Sequence, residues 1–189
     1  MSFTLVPGHH GPWVHPQRKT RARSKFSFEQ NPALAEGKVH THCFPGARVL
    51  DVSAQIPAIL KGDKNPGAVV LHAGVNDTKL RQTETPKRDF RSLIETVCSI
   101  SPATTTIVSG PLPTYRRGHE RFCRLFALNE WLLSWCKEQK LLFVNNWNLF
   151  WERPRLFRAD GLHPSRSGTP VGQHLQDAAL HMTSKPILK

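Results

Sequence analysis

Apolar and polar positions alternate along this chain with two different periods. Ala68 to Ala73 is apolar except for His72. An apolar run of that length predicts a strand buried on both faces, as in a parallel sheet covered by helices. Thr104 to Ser109 and Leu141 to Asn145 are shorter stretches of the same kind, and Val39 to Phe44 has β character up to the Pro45-Gly46 turn. Between them the period changes to that of a helix. Leu50, Ala54, Ile56, Ile59 and Leu60 mark an apolar side over Leu50 to Lys61, where Pro57 predicts a kink or a late start. Thr85-Pro86 reads as an N-cap followed by a first-turn proline, ahead of a core stripe of Phe90, Leu93, Ile94, Val97 and Cys98. The longest helix runs from about His119 to Lys140. Its face is marked by Phe122, Leu125, Phe126, Leu132, Leu133 and Cys136 and widened by Trp131 and Trp135. A loop carrying Trp147, Phe150, Trp151 and Phe157 then leads to Asp160-Gly161-Leu162-His163-Pro164, and a short helix is expected over Val171 to Met182.

Strand and helix in alternation predict an α/β fold with a mostly parallel sheet, whose site lies at the carboxyl ends of the strands. Gly46, Asn76 and the Asp160 turn each follow a predicted strand. Residues 1–37 differ from the rest. Pro7, Gly8, Gly11, Pro12 and Pro16 interrupt regular structure, although Phe3 to Val6 suits a short strand and Pro32 to Glu36 one helical turn. This segment reads as an irregular, basic, disordered tail before a domain over residues 38–183, with 184–189 as a C-terminal tail.

At 189 residues the chain is long enough for one domain with a proper core. Its formal charge of +12 implies affinity for polyanions, whether nucleic acid or acidic lipid. Arg18, Lys19, Arg21, Arg23 and Lys25 form a basic run that suits a nuclear localisation signal or a non-specific polyanion contact, and equally a solvated tail. No recognisable nucleic-acid-binding module accompanies it. Apolar runs are too short to span a membrane, and the first residues do not form a signal peptide. Cys43, Cys98, Cys123 and Cys136 show no C-x-x-C pairing, so they read as reduced core thiols of a cytoplasmic or nuclear protein. His40 and His42 would share one face of a strand and allow a two-ligand metal site, but the His and Cys spacings fit no zinc finger and no metal is expected.

The chemistry lies in the loops. Asp160 and His163 are three residues apart, close enough for the carboxylate to orient the imidazole as a general base. Asn76 offers amide N–H groups that titration cannot remove, and the backbone N–H of Gly46 is a second candidate oxyanion donor. Each residue also has a plain structural role: Asp160-Gly161 suits an Asx-turn, and Asn76-Asp77 suits a cap.

Gly74-Val75-Asn76-Asp77 and Asp160-Gly161-Leu162-His163 resemble the third and fifth sequence blocks of the SGNH (GDSL-like) hydrolases. Cys43-Phe44-Pro45-Gly46-Ala47-Arg48-Val49 and Ser109-Gly110-Pro111-Leu112-Pro113 extend the likeness across Lys38 to Ser167. It is nearest to the esterase domain of the first open-reading-frame protein of vertebrate LINE-type retrotransposons. The resemblance implies a flavodoxin-like three-layer α/β/α sandwich and hydrolysis of acyl esters without metal or organic cofactor. It further implies that Asp160 and His163 are the triad pair and that Asn76 and Gly46 are the oxyanion donors. One block is missing. The family has Gly-Asp-Ser at the end of its first strand, and no such tripeptide occurs here. If Phe3 to Val6 is that strand, Pro7-Gly8-His9-His10 takes the nucleophile turn without a hydroxyl. The first strand is then replaced or missing, the nucleophile is unknown, and the expected outcome is a pseudoenzyme with weak or no turnover. The other expectation is a non-catalytic basic protein that binds nucleic acid or acidic lipid.

Overall fold

The computed structural model describes residues 2–7, 40–62, 66–80, 84–114 and 118–168. Five strands form one sheet: β1 (Ser2–Pro7), β2 (His40–Cys43), β3 (Pro66–His72), β4 (Thr105–Ser109) and β5 (Leu142–Val144), in the order β2-β1-β3-β4-β5. β3, β4 and β5 pair in parallel, and β1 pairs antiparallel with both β2 and β3. Four strands therefore share one direction and only β1 is reversed. The mostly parallel sheet agrees with the expectation, and so does replacement of the first strand. The segment in that position runs the opposite way.

The reversal corrects one expectation. Pro7 pairs with Pro66 at the amino end of β3, and Ser2 pairs with His72 at its carboxyl end. Pro7 is therefore at the far end of the sheet from the predicted site and does not enter a nucleophile turn there. Arg18, Lys19, Arg21, Arg23 and Lys25, the turn at Pro32 to Glu36 and the helix at Val171 to Met182 lie outside the described residues.

Three long helices cover one sheet face: α1 (Val49–Gly62), α2 (Glu84–Ile100) and α3 (His119–Glu138). Val52, Ile56 and Leu60 of α1, Phe90, Leu93 and Val97 of α2, and Leu128, Leu132 and Trp135 of α3 share a single core with Val69, Leu71 and Val108. Ala68, Val70, Ile107 and Val144 form a second apolar cluster on the opposite face. Successive side chains on a strand point to opposite faces, so an unbroken apolar run serves both clusters.

Helix rotation, about 100° per residue, explains where the predicted stripes slipped. Leu50 and Ala54 of α1 are exposed, and Val49, Val52 and Ser53 are buried in their place. Phe126 and Leu133 of α3 follow the buried Leu125 and Leu132 by one residue and turn to solvent, as does Cys98 after Val97. Cys43 and Cys123 are exposed as well, so only Cys136 is a core thiol. Pro57 neither delays nor breaks α1. α2 starts at Glu84, so Thr85 lies inside its first turn and is not the N-cap.

Candidate functional site

Turn chemistry builds one side of the site. After β2 the chain turns through Phe44-Pro45-Gly46-Ala47, closed by Ala47 N donating to Phe44 O at 3.2 Å. Proline second and glycine third, with Gly46 at φ 77°, is the type II signature. A Cβ added at Gly46 would meet nothing within 4 Å, so the left-handed backbone, not crowding, calls for glycine here, and the space above it is open.

The loop after β3 docks onto this turn. Asn76 Nδ2 donates to Ala47 O at 3.0 Å, which leaves one amide N–H that this bond does not use. Next to it, buried Asp77 accepts from Val49 N at 3.3 and 3.2 Å and caps α1 from 28 residues away. A carboxylate at a helix N-terminus also meets the positive end of the helix dipole. Loss of solvation nevertheless pushes the Asp77 carboxyl up to about 6. The expected cap at Asn76-Asp77 is thus real, but the helix it caps is the preceding one. Gly74 allows the close approach of this loop. Its φ is 99°, and a Cβ there would lie 2.8 Å from Leu128 Cδ2 and 3.1 Å from Phe90 Cε2.

The other side is the 160s turn. Asp160 Oδ1 accepts from the backbone N–H groups of Leu162 and His163 at 2.9 and 3.0 Å, and Oδ2 accepts from His163 Nδ1 at 2.6 Å. The two His163 bonds, backbone first, together with the Leu162 N–H, hold the Asp160 carboxyl far below the usual carboxylate range. Ionised Asp160 keeps the proton on Nδ1 and leaves Nε2 as the basic nitrogen of neutral His163. The His163 side chain is 64% exposed, so that nitrogen is open to a ligand. The Asx-turn and the acid–base pair are therefore the same structure.

The turn is also fastened to the body. Arg158 N donates to His163 O at 2.8 Å, and Ser165 N donates to Leu156 O at 2.8 Å. Beneath it, Phe150 of α4 (Trp147–Phe150), Leu156 and Phe157 pack with Leu112, which follows β4. Leu112 thereby brings the turn to the carboxyl ends of the strands, the end that carries Gly46 and Asn76. The structure joins Asp160 to His163 and Asn76 to the Gly46 turn, and sets both pairs at one end of the sheet.

A third polar group at this end was not anticipated. His72 Nδ1 and Ser109 Oγ share a hydrogen bond at 3.3 Å, and Asn146 Nδ2 donates to Ser109 Oγ at 2.8 Å and to Gly110 O at 2.7 Å. Burial pushes His72 down to about 4. The available signal was a polar residue at the end of each of three apolar runs. Ser109 is fully buried, so the trio ties β3, β4 and the loop after β5 together. Among the described residues no group of three or more His, Cys, Asp or Glu side chains is arranged to hold a metal, and His40 and His42 are not part of one.

Fold and loop geometry together define an SGNH-type α/β hydrolase domain. The chain belongs to the GDSL-like lipase/acylhydrolase family, whose sequence profile matches residues 9–169. It is similar to the esterase domain of the ZfL2-1 ORF1 protein from the zebrafish ZfL2-1 retrotransposon. Identity is 70% over 74% of this chain and 85% of that one, with a TM-score of 0.53. A GDSL-like lipase from Bacteroides thetaiotaomicron has 19% identity over 72% of each chain and a TM-score of 0.63. A carbohydrate esterase family 3 structure from Talaromyces cellulolyticus has 18% identity over 72% of this chain and 68% of that one, also with a TM-score of 0.63. The last two likenesses bear on the fold alone. No curated protein matches the chain significantly.

Proposed function

We propose that the chain is an esterase domain of retrotransposon origin that hydrolyses carboxylic esters, with impaired turnover. His163 acts as general base, Asp160 fixes its tautomer, and Asn76 and the Gly46 N–H receive the oxyanion. The observation that carries this reading is the 2.6 Å bond between His163 Nδ1 and Asp160 Oδ2 in an exposed turn. The 70% identity to the zebrafish esterase domain supports the ester class and the origin. Impairment follows from the missing Gly-Asp-Ser block: no serine stands at a strand-to-helix turn. Oxyanion donors and binding alone leave an acceleration on the order of 10³–10⁴ over water.

The test is hydrolysis of p-nitrophenyl acetate by the purified chain and by His163→Ala. Weak turnover above the buffer rate, reduced about 100-fold in the variant, is the expected result for loss of a general base. Turnover equal in both proteins would overturn the assignment of His163.

A second reading, a non-catalytic basic protein that binds nucleic acid or acidic lipid, rests on the +12 charge and on exposed Arg153, Arg155, Arg158 and Arg166 around the turn. It predicts binding that weakens steeply with salt, and no effect of His163→Ala on that binding.

A further inference from the structure

The reversed course of β1 brings a hydroxyl-bearing residue to the end of the sheet where the nucleophile is missing. Ser2 is the first residue of β1, and it pairs with Cys43 on one side and His72 on the other. Cys43 is three residues before Gly46 at the end of β2, and His72 is four residues before Asn76 at the end of β3. β1 lies between β2 and β3. Ser2 therefore occupies the strand between the two oxyanion-donor loops, at the end of the sheet to which Leu112 brings the Asp160–His163 turn. A strand in the usual direction would bring its last residues to this position. In a reversed strand the first residue arrives there, and for that reason a search for serine after Phe3 to Val6 finds none. Ser24 and Ser27 are the other serines before Gly46, and both lie outside the described residues.

We infer that Ser2 is the nucleophile of the proposed esterase. The inference rests on the ester-hydrolase reading and names the residue which that reading lacks. In the first half-reaction, Ser2 Oγ attacks the ester carbonyl carbon as His163 Nε2 takes the hydroxyl proton. The tetrahedral oxyanion is received by Asn76 Nδ2–H and the Gly46 N–H. Its collapse breaks the bond to the alkoxy oxygen, and His163 returns the proton to the departing alcohol, leaving acyl-Ser2. In the second, water attacks the acyl carbon and gives a proton to His163. Ser2 Oγ then leaves and recovers that proton, and the carboxylic acid is released. A serine within a paired strand lacks the tight strand-to-helix turn of a nucleophile elbow, so the impaired rate is retained in this assignment.

The experiment treats the purified chain, Ser2→Ala and His163→Ala with a fluorophosphonate probe and maps the adduct by peptide mass spectrometry. p-Nitrophenyl acetate turnover and melting curves are recorded for each protein. The expected result is an adduct on Ser2, absent from Ser2→Ala and His163→Ala, with turnover about tenfold or more lower in both. Melting temperatures should be unchanged, since alanine keeps the backbone pairing. An adduct on any other residue would overturn the assignment. Turnover that depends on His163 but survives in Ser2→Ala would sink Ser2 and leave the esterase reading standing. No turnover and no adduct in a cooperatively melting wild-type chain would overturn both.

Discussion

Two buried groups at the site end titrate in opposite senses. His72 falls to about 4 from an ordinary 6.5, so its neutral form is the folded-state form. Its contribution to stability is present above the unfolded value and is lost as pH falls from 6.5 towards 4. Asp77 rises to about 6 from 3.8, so the folded state favours its protonated form. Its contribution is present at low pH and is lost as pH rises from 3.8 through 6. Between about pH 4 and 6 the two slopes oppose each other and flatten the stability profile. Asp77→Asn keeps an acceptor for Val49 N and removes one of the slopes. The variant should therefore lose stability on acidification more steeply than wild type. Melting temperature followed by circular dichroism over that range checks this, and parallel curves would show that the account is wrong. Glycine acts at the same scale. Gly74→Ala puts a Cβ on a positive-φ backbone and into Leu128 and Phe90. A cost of about 1–3 kcal/mol is expected from chemical denaturation, together with lower turnover, because Asn76 is two residues further along the same loop.

At the scale of elements, α2 shows what periodicity can and cannot supply. Its stripe of Phe90, Leu93, Ile94 and Val97 was legible because burial on a helix repeats every three to four residues. Phe90 is fully buried between α1, α3 and the sheet, and Phe90→Ala should cost about 3–5 kcal/mol, as measured by denaturant unfolding. Cys98 was misassigned at the edge of the same stripe, since a single residue of rotation separates core from solvent. α1 adds a second lesson. Its start at Val49 is set by the Asp77 carboxylate, which sits on another loop, so no local signal marks it. β1 adds a third. The short apolar piece at Phe3 to Val6 was readable as a strand, but its direction was not, because alternation along a strand is the same read either way.

Over the whole molecule the charge of +12 and the arginines around the 160s turn set the field that a substrate meets. Esters that carry a carboxylate should be steered to the site and neutral esters should not. The Debye length shrinks from about 30 Å at ~0.01 M salt to about 8 Å at ~0.15 M. Stopped-flow or plate assays across that range should show kcat/KM falling for the anionic ester and staying nearly level for p-nitrophenyl acetate. Equal salt responses would remove electrostatic steering from the account. No helix among the described residues is long and apolar enough to cross a membrane.

By itself the sequence determined what depends on neighbours in the chain. Strand and helix alternation follows from the spacing of apolar residues, the type II turn from Pro45-Gly46, and the Asp160–His163 pair from a carboxylate and an imidazole three residues apart. Tertiary structure alone decided what depends on groups far apart in the chain. It set the direction of β1 and with it the place of Ser2, the capping of α1 by Asp77, and the linkage of His72, Ser109 and Asn146. The physical reason is common to these cases. A buried polar group must be hydrogen-bonded, and which distant partner satisfies it is settled only when the layers pack.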